Sequence, residues 1–137
     1  MNRWLVKTEP GTYSFADLER DGRTVWDGVT NALALKHLRA MRKGDRLFVY
    51  HTGDEKSIVG IAEALSDPYP DPKQKDDRLV VVEIGPRERL MRPVALAEVK
   101  AHKELATWEL ARLARLSVMP VTAQQWATVG NMVRRPG

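Results

Sequence analysis

Hydrophobic and polar positions along the chain change their spacing several times, which predicts a domain that mixes strands with helices. Arg3–Lys7 is typical of a first strand, and Pro10-Gly11 ends it. Ser14 and Asp17 have capping-box spacing, with Asp in place of the usual Glu. They predict a short helix that runs to about Arg20.

A second helix is predicted from Ala32 to about Arg42, with Asn31 as its cap and Gly44 beyond its end. Residues three and four positions apart form an apolar stripe on it, namely Ala34, Leu35, Leu38 and Met41. Basic residues share a different side, namely Lys36, Arg39 and Lys43. This helix is therefore expected to bury one face and to leave a basic face in solvent.

Three β-rich segments follow, Arg46–His51, Ser57–Leu65 and Arg78–Ile84. Thr52–Glu55, between the first two, is typical of a hairpin turn. Asp67–Pro72 is too rich in proline for a helix or a central strand, so it predicts a loop.

After Pro93 the pattern becomes helical, through Ala95–Lys100 and Glu104–Leu113. A short strand at Leu116–Met119 and a final helix capped by Thr122 complete the chain. There is no regular strand–helix–strand alternation and no internal repeat. The predicted fold class is therefore α+β, a small curled sheet with helices around it, in a single domain over residues 1–137.

Composition narrows the class of protein only a little. The chain has 137 residues, no cysteine, and 22 basic against 18 acidic residues, for a net charge of +4. Disulfides and thiolate metal sites are excluded, and the mild basic excess favours anionic partners. The apolar run at Trp4–Val6 is far shorter than a signal peptide or a membrane span, so we expect a soluble, cytoplasmic protein.

No catalytic motif occurs in the sequence. Phosphate-binding glycine loops, a nucleophile elbow and a zinc-protease signature are all missing. His37, His51 and His102 are far apart and lack metal-ligand spacing. We therefore expect no enzyme, no metal and no cofactor.

Candidate binding residues lie at the ends of predicted elements, where a rigid scaffold can hold them. Each also has an ordinary structural explanation: Trp26 as a core residue, Asn31 as a helix cap, Lys7 as half of an exposed ion pair. From the residues alone the partner stays open. The candidates are Lys7, Glu9, Trp26, Asn31, Tyr50, His51, Thr52 and Ser117.

Seven segments, in order and covering nearly the whole chain, resemble the EVE domain family. They are Trp4–Pro10, Tyr13–Leu18, Trp26–Asn31, Lys43–His51, Ile58–Ile61, Tyr69–Pro72 and Arg115–Thr122. The resemblance implies a PUA-like fold, a mixed and strongly curved sheet that forms a pseudo-barrel. It is similar to the YTH domain, whose aromatic cage holds a methylated adenine, and EVE-like domains are linked to modified cytosine in DNA. The family's pocket residues carry over onto the eight candidates above.

Some positions depart from the family pattern. Phe15 stands where Trp is frequent, and Thr30 stands where Arg is frequent. Ala32-Leu33 replaces a frequent Tyr-Gln pair. Because Thr30, Ala32 and Leu33 flank the pocket motif, a wider pocket or a different base is expected.

The resulting hypothesis is a non-catalytic module that binds DNA or RNA and takes one base, a modified one, into an aromatic slot. Trp26 and Tyr50 would wall the slot, and stacking on a base is worth about 1–3 kcal/mol. The base edge would be bound by Asn31, Thr52 and Ser117, with Glu9 accepting from an exocyclic amine and Lys7 and His51 donating to a carbonyl. The phosphate backbone would be met by Lys36, Arg39, Lys43, Arg112 and Arg115.

Three other functions stay open at this point. A small-molecule sensor would hold a free nucleoside or nucleotide in the same pocket. A hydrolase would use His51 with Glu9 or Asp27, and would need the imidazole near a carboxylate in an open cleft. A protein-interaction role would be favoured if Trp26 and Tyr50 were core residues with no cavity between them.

Overall fold

The computed structural model describes residues 1–134, so the last three residues of the predicted domain lie outside it. Within that range the chain forms seven strands and five helices. In order they are β1 (Arg3–Thr8), α1 (Phe15–Asp21), β2 (Thr24–Trp26), α2 (Ala32–Ala40), β3 (Arg46–His51), β4 (Ser57–Ala64), β5 (Tyr69–Pro70), β6 (Val80–Ala95), α3 (Leu96–Ala101), α4 (Glu109–Arg112), β7 (Val118–Pro120) and α5 (Ala123–Arg134).

The strands form one mixed sheet in the order β2-β6-β4-β3-β1-β7, with β5 also paired to β6. β1 and β3 run parallel, and the other neighbours are antiparallel. The register between β4 and β6 slips between Ile58 and Gly60 and again between Ile61 and Ala62. Such irregularities bend and twist a sheet. The sheet curls into a half-barrel with helices around it, which confirms the predicted α+β, PUA-like class.

Local signals set the first two helices as predicted. The Ser14 hydroxyl accepts from the Asp17 amide at 3.0 Å, and the Asp17 carboxylate accepts from the Ser14 amide at 2.8 Å. Asn31 Oδ1 accepts from the Ala34 amide at 3.0 Å and so caps α2. The apolar stripe of α2 is buried, and α2 ends at Ala40, two residues before the predicted end.

The main error of the sequence-based prediction concerns β6. This strand continues through Pro86 and Pro93 to Ala95, although proline was expected to end strands. Proline lacks a ladder donor, so it fits where the pairing is irregular, as it is between β6 and β4. β2 and β5 were not predicted, and the helix predicted over Glu104–Leu113 shrinks to the single turn of α4.

One hydrophobic core joins the inner face of the sheet to the helices. Phe15 is fully buried at the start of α1, and a Cβ on Gly60 of β4 would collide with its ring. Glycine at this position therefore provides the room that Phe15 occupies. Over residues 1–134 no helix is both long and apolar enough to cross a membrane.

Candidate functional site

The parallel pair β1–β3 places its carboxyl ends at one edge of the sheet, where Lys7 lies beside Tyr50 and Thr8 beside His51. An open cavity of about 560 Å³ lies at this edge, here called the first cavity. It is lined by Lys7, Thr8, Thr12, Tyr13, Thr24, Val25, Trp26, Asp27, Gly28, Val29, Thr30, Asn31, Arg115 and Ser117.

Two aromatic side chains belong to the first cavity. Trp26 is 9% exposed, and its strand is held by pairing with Val82 of β6. Tyr13 meets the indole edge-on, with ring centroids 6.4 Å apart. Within residues 1–134 the Trp26 indole N–H donates to no protein acceptor. The indole nitrogen is nevertheless accessible to solvent. Trp26 is therefore both a core residue and a cavity wall.

Tyr13 is held in place by its hydroxyl, which donates to the Asp21 carboxylate at 2.9 Å. Burial raises the pKa of the Tyr13 phenol, and the neighbouring Asp21 carboxylate raises it further. The phenol stays protonated at physiological pH and is a neutral wall of the cavity.

The loop between β2 and α2 forms the rim of the first cavity. Gly28 has a φ of 77°, a conformation that costs other residues about 1–2 kcal/mol. Asn31 ends the loop, and its Oδ1 is committed to capping α2. The cap uses only the oxygen of the carboxamide, and within residues 1–134 the Asn31 Nδ2 group donates to no protein acceptor. The Asp27 side chain forms no ion pair or hydrogen bond within the described residues and adds an exposed carboxylate to the rim.

Lys7 forms a wall of the first cavity at the end of β1. Its backbone amide donates to the Ser117 carbonyl at 2.9 Å, which fixes Ser117 at the cavity. Its Nζ donates to the Ala114 carbonyl at 3.0 Å and lies 5.5 Å from the centre of the Tyr50 ring. Burial lowers the pKa of Lys7.

A smaller space of about 270 Å³, here called the second cavity, shares Lys7 with the first cavity. Tyr50 and Thr52 line this space and not the first cavity, so the predicted slot between Trp26 and Tyr50 is wrong, and Tyr13 is the aromatic neighbour of Trp26. Both Trp26 and Tyr50 are buried, as the protein-interaction alternative required, but each also lines a cavity. The lining residues of the second cavity are Lys7, Tyr50, Thr52, Gly53, Lys56, Leu96, Lys100, Leu110, Ala111 and Ala114.

His51 lies in neither cavity. It is 6% exposed, its Nε2 accepts from the Phe15 amide at 3.0 Å, and its Nδ1 lies 2.9 Å from a Glu55 carboxylate oxygen. A backbone amide can only donate, so Nε2 is unprotonated and the ring proton is on Nδ1. Both nitrogens have protein partners, and the His51 side chain is too buried to stand in the open cleft that the hydrolase hypothesis required. Glu9, exposed, lines neither cavity.

The five predicted backbone-contact residues are all exposed. Arg115 alone among them lines the first cavity. Arg39 donates to the Arg78 carbonyl at 2.6 Å, and Arg112 donates to the Thr107 carbonyl at 2.6 Å.

Sequence reasoning missed several residues of the first cavity. Tyr13 was not a candidate, and Asp27 was one only for the hydrolase hypothesis. Both nevertheless belong to family-like segments, Tyr13–Leu18 and Trp26–Asn31. Thr12 and Thr24 had no such signal, because no motif includes them. Within residues 1–134 no three His, Cys, Asp or Glu side chains are grouped as metal ligands would be.

The match of the EVE domain family extends over residues 2–132, so the chain belongs to the EVE domain family. Human thymocyte nuclear protein 1 is 30% identical to it, over 91% of this chain and 71% of that protein. Similar solved structures include the following two. A protein from Rhodopseudomonas palustris has 44% identity and a TM-score of 0.92, over 96% of this chain and 92% of that one. Human THYN1 protein, in complex with DNA that contains 5-methylcytosine, has 29% identity and a TM-score of 0.90, over the full length of both chains.

Proposed function

We propose that this chain is a non-catalytic nucleic-acid-binding module that takes one base, a modified one, into the first cavity. The observation that carries the proposal is the convergence of Trp26, Tyr13 and unused hydrogen-bonding groups on one open space. Its volume of about 560 Å³ lies within the range usual for small-ligand sites. The human relative bound to DNA containing 5-methylcytosine supports the same ligand class.

Each cavity group has a distinct part in this proposal. The base lies against Trp26 and Tyr13, whose rings exclude water from one side. Asn31 Nδ2 and the Ser117 hydroxyl donate to carbonyl or ring-nitrogen acceptors on the base edge. The Asp27 carboxylate accepts from an exocyclic amine, a pairing that suits cytosine. Asp27 thus takes the role that the sequence assigned to Glu9, which lies outside the cavity.

A methyl group on the base adds only a small amount of binding free energy by itself. Burying a methylene-sized group against an apolar side chain such as Val29 is worth about 0.8 kcal/mol, or roughly a fourfold preference. Thr30 lines the cavity where the family often has Arg, so within residues 1–134 the basic residues that line it are Lys7 and Arg115. The remaining basic candidates, Lys36, Arg39, Lys43 and Arg112, meet the phosphate backbone.

The test is fluorescence anisotropy with labelled single-stranded DNA and RNA oligonucleotides that carry either cytosine or 5-methylcytosine. Trp26→Phe keeps an aromatic ring but removes the accessible indole N–H and part of the stacking area. We expect about a tenfold loss of affinity, since aromatic stacking on a base is worth about 1–3 kcal/mol. The wild-type protein is expected to prefer the methylated oligonucleotide by roughly fourfold.

Trp126→Phe is the matched control. Trp126 stacks on Phe48 at 3.9 Å and lines a separate apolar groove beside α5, so its replacement should leave affinity unchanged. Equal losses in the two variants, or binding to none of the oligonucleotides, would contradict the proposal. Tight binding of free nucleosides together with indifference to the polymer would instead identify a small-molecule sensor.

A further inference from the structure

The second cavity is rich in basic side chains, and the nearby Glu9 carboxylate lies beside Gly53 of its lining. Three of its ten lining residues are lysines, namely Lys7, Lys56 and Lys100, and none is acidic. Within residues 1–134 none of the three forms an ion pair with a carboxylate. Like charges that converge on one concave space repel one another, so the arrangement favours an anion.

The ammonium group of Lys7 belongs to the second cavity. Its hydrogen-bond acceptor, the Ala114 carbonyl, and its aromatic neighbour, Tyr50, both line the second cavity, and neither lines the first. The charge is partly removed from water without a counter-ion, and burial accordingly lowers its pKa. An anion in the second cavity would offset that desolvation.

The fold holds Lys56 and Lys100 at the same opening. Lys56 ends the hairpin between β3 and β4 with a φ of 43°, and its carbonyl accepts from the Leu96 amide at 2.8 Å. Leu96 begins α3, which carries Lys100 one turn later. This hydrogen bond ties the hairpin to the helix, and both lysines line the cavity.

We propose that the second cavity is a phosphate subsite. The phosphate is bound there by the ammonium groups of Lys7, Lys56 and Lys100 together with the Thr52 hydroxyl. The phosphate belongs to the same nucleic acid whose base enters the first cavity. Lys7 lines both spaces, so the base and the phosphate would both lie against its side chain. The identity of the phosphate's source rests on the proposed function, whereas the subsite itself does not.

The subsite is tested first with inorganic phosphate, by NMR of the ¹⁵N-labelled protein against sodium chloride at equal ionic strength. We expect saturable shifts of the Thr52, Gly53 and Lys56 amides, and a rise in the pKa of Lys7 when phosphate is bound. The double variant Lys56→Gln/Lys100→Gln should abolish both responses.

The matched control is Lys73→Gln/Lys75→Gln, which removes two exposed lysines that line neither cavity and so changes the net charge equally. It should keep the phosphate response. Shifts that chloride reproduces, or shifts that the control variant loses as well, would overturn the subsite.

The source of the phosphate is tested with oligonucleotides and with nucleoside monophosphates. Lys56→Gln/Lys100→Gln should weaken oligonucleotide binding about tenfold and lower the salt dependence, because each neutralised phosphate contributes roughly 0.7–0.9 to that slope. Affinity for a phosphate-free nucleoside should not change. A loss confined to nucleoside monophosphates would overturn the polymer as the source. If Trp26→Phe leaves oligonucleotide affinity unchanged while the phosphate shifts persist, the base-binding proposal fails and the phosphate subsite is still supported.

Discussion

The two ends of the parallel pair β1–β3 contain similar residue types but differ in whether the polar groups have protein partners. At the amino end, the buried Asp45 carboxylate accepts from the Trp4 indole at 2.9 Å and from the backbone amides of Asn2 and Arg42 at 3.0 and 2.9 Å. Every polar group of this cluster has a protein partner. The tryptophan and the aspartate there close the end of the sheet.

At the carboxyl end, a tryptophan and an aspartate again lie close together, but their polar groups are left free. The Trp26 indole N–H and the Asp27 carboxylate have no protein partner within residues 1–134, and Asn31 has only its oxygen committed. Buried polar groups are normally satisfied in a folded protein. Free groups that surround an open cavity are therefore the better guide to binding than the residue types themselves.

The contrast between the two ends predicts different effects when each aspartate is replaced by alanine. Asp45→Ala leaves three donors without their carboxylate, and we expect a loss of about 3 kcal/mol in the free energy of unfolding, measured in urea. Asp27→Ala should cost less than about 0.5 kcal/mol because its side chain is exposed and unpaired, while oligonucleotide affinity falls. Similar destabilisation by both variants would show that the carboxyl end is as closed as the amino end.

A second test separates the structural and binding roles of Asn31. Ser caps helices about as well as Asn, so Asn31→Ser should keep stability, whereas Asn31→Ala should lose about 1 kcal/mol. Both variants lack the free amide donors, and we expect both to weaken oligonucleotide binding about fivefold, as for the loss of one hydrogen bond of about 1 kcal/mol. Unchanged affinity in Asn31→Ser would restrict Asn31 to its capping role.

A smaller effect is expected from Lys7, whose ionisation makes the stability of the folded protein depend on pH. Burial puts its pKa below 10.5 in the folded protein, so the folded state releases this proton before the unfolded state does. Stability rises with pH wherever the unfolded chain binds more protons. Relative to Lys7→Met, the wild-type protein should therefore gain stability as pH rises from neutral towards 10.5, in urea unfolding at several pH values. A constant difference between the two proteins would contradict the partial burial of the Lys7 charge.

Most elements could be predicted because their signals are local. The capping box of Ser14 and Asp17, the cap at Asn31 and the strand-forming runs of β1, β3 and β4 act within a few residues. β2 has only three residues, and it exists because Trp26 pairs with Val82, far away in the chain. No local pattern encodes such a pairing.

The candidate site was predicted only in part, for a geometric reason. Tyr50, His51 and Thr52 are consecutive, and successive side chains of a strand point to opposite faces. Tyr50 lies beside Lys7 at the second cavity, while His51 points into the fold and accepts from the Phe15 amide. The consecutive residues Tyr50, His51 and Thr52 could therefore not all line the same pocket.

The helix caps, most of the strands, the apolar stripe of α2 and the family of the chain could all be predicted, because each depends on residue types at short or ordered spacings. Which polar groups are left free depends on tertiary contacts. The parallel pairing of β1 with β3 and the curl of the sheet bring Lys7, Trp26 and Ser117 to one cavity from distant parts of the chain. Whether a polar group is satisfied depends on neighbours that are remote in sequence, and this decides where a ligand can bind.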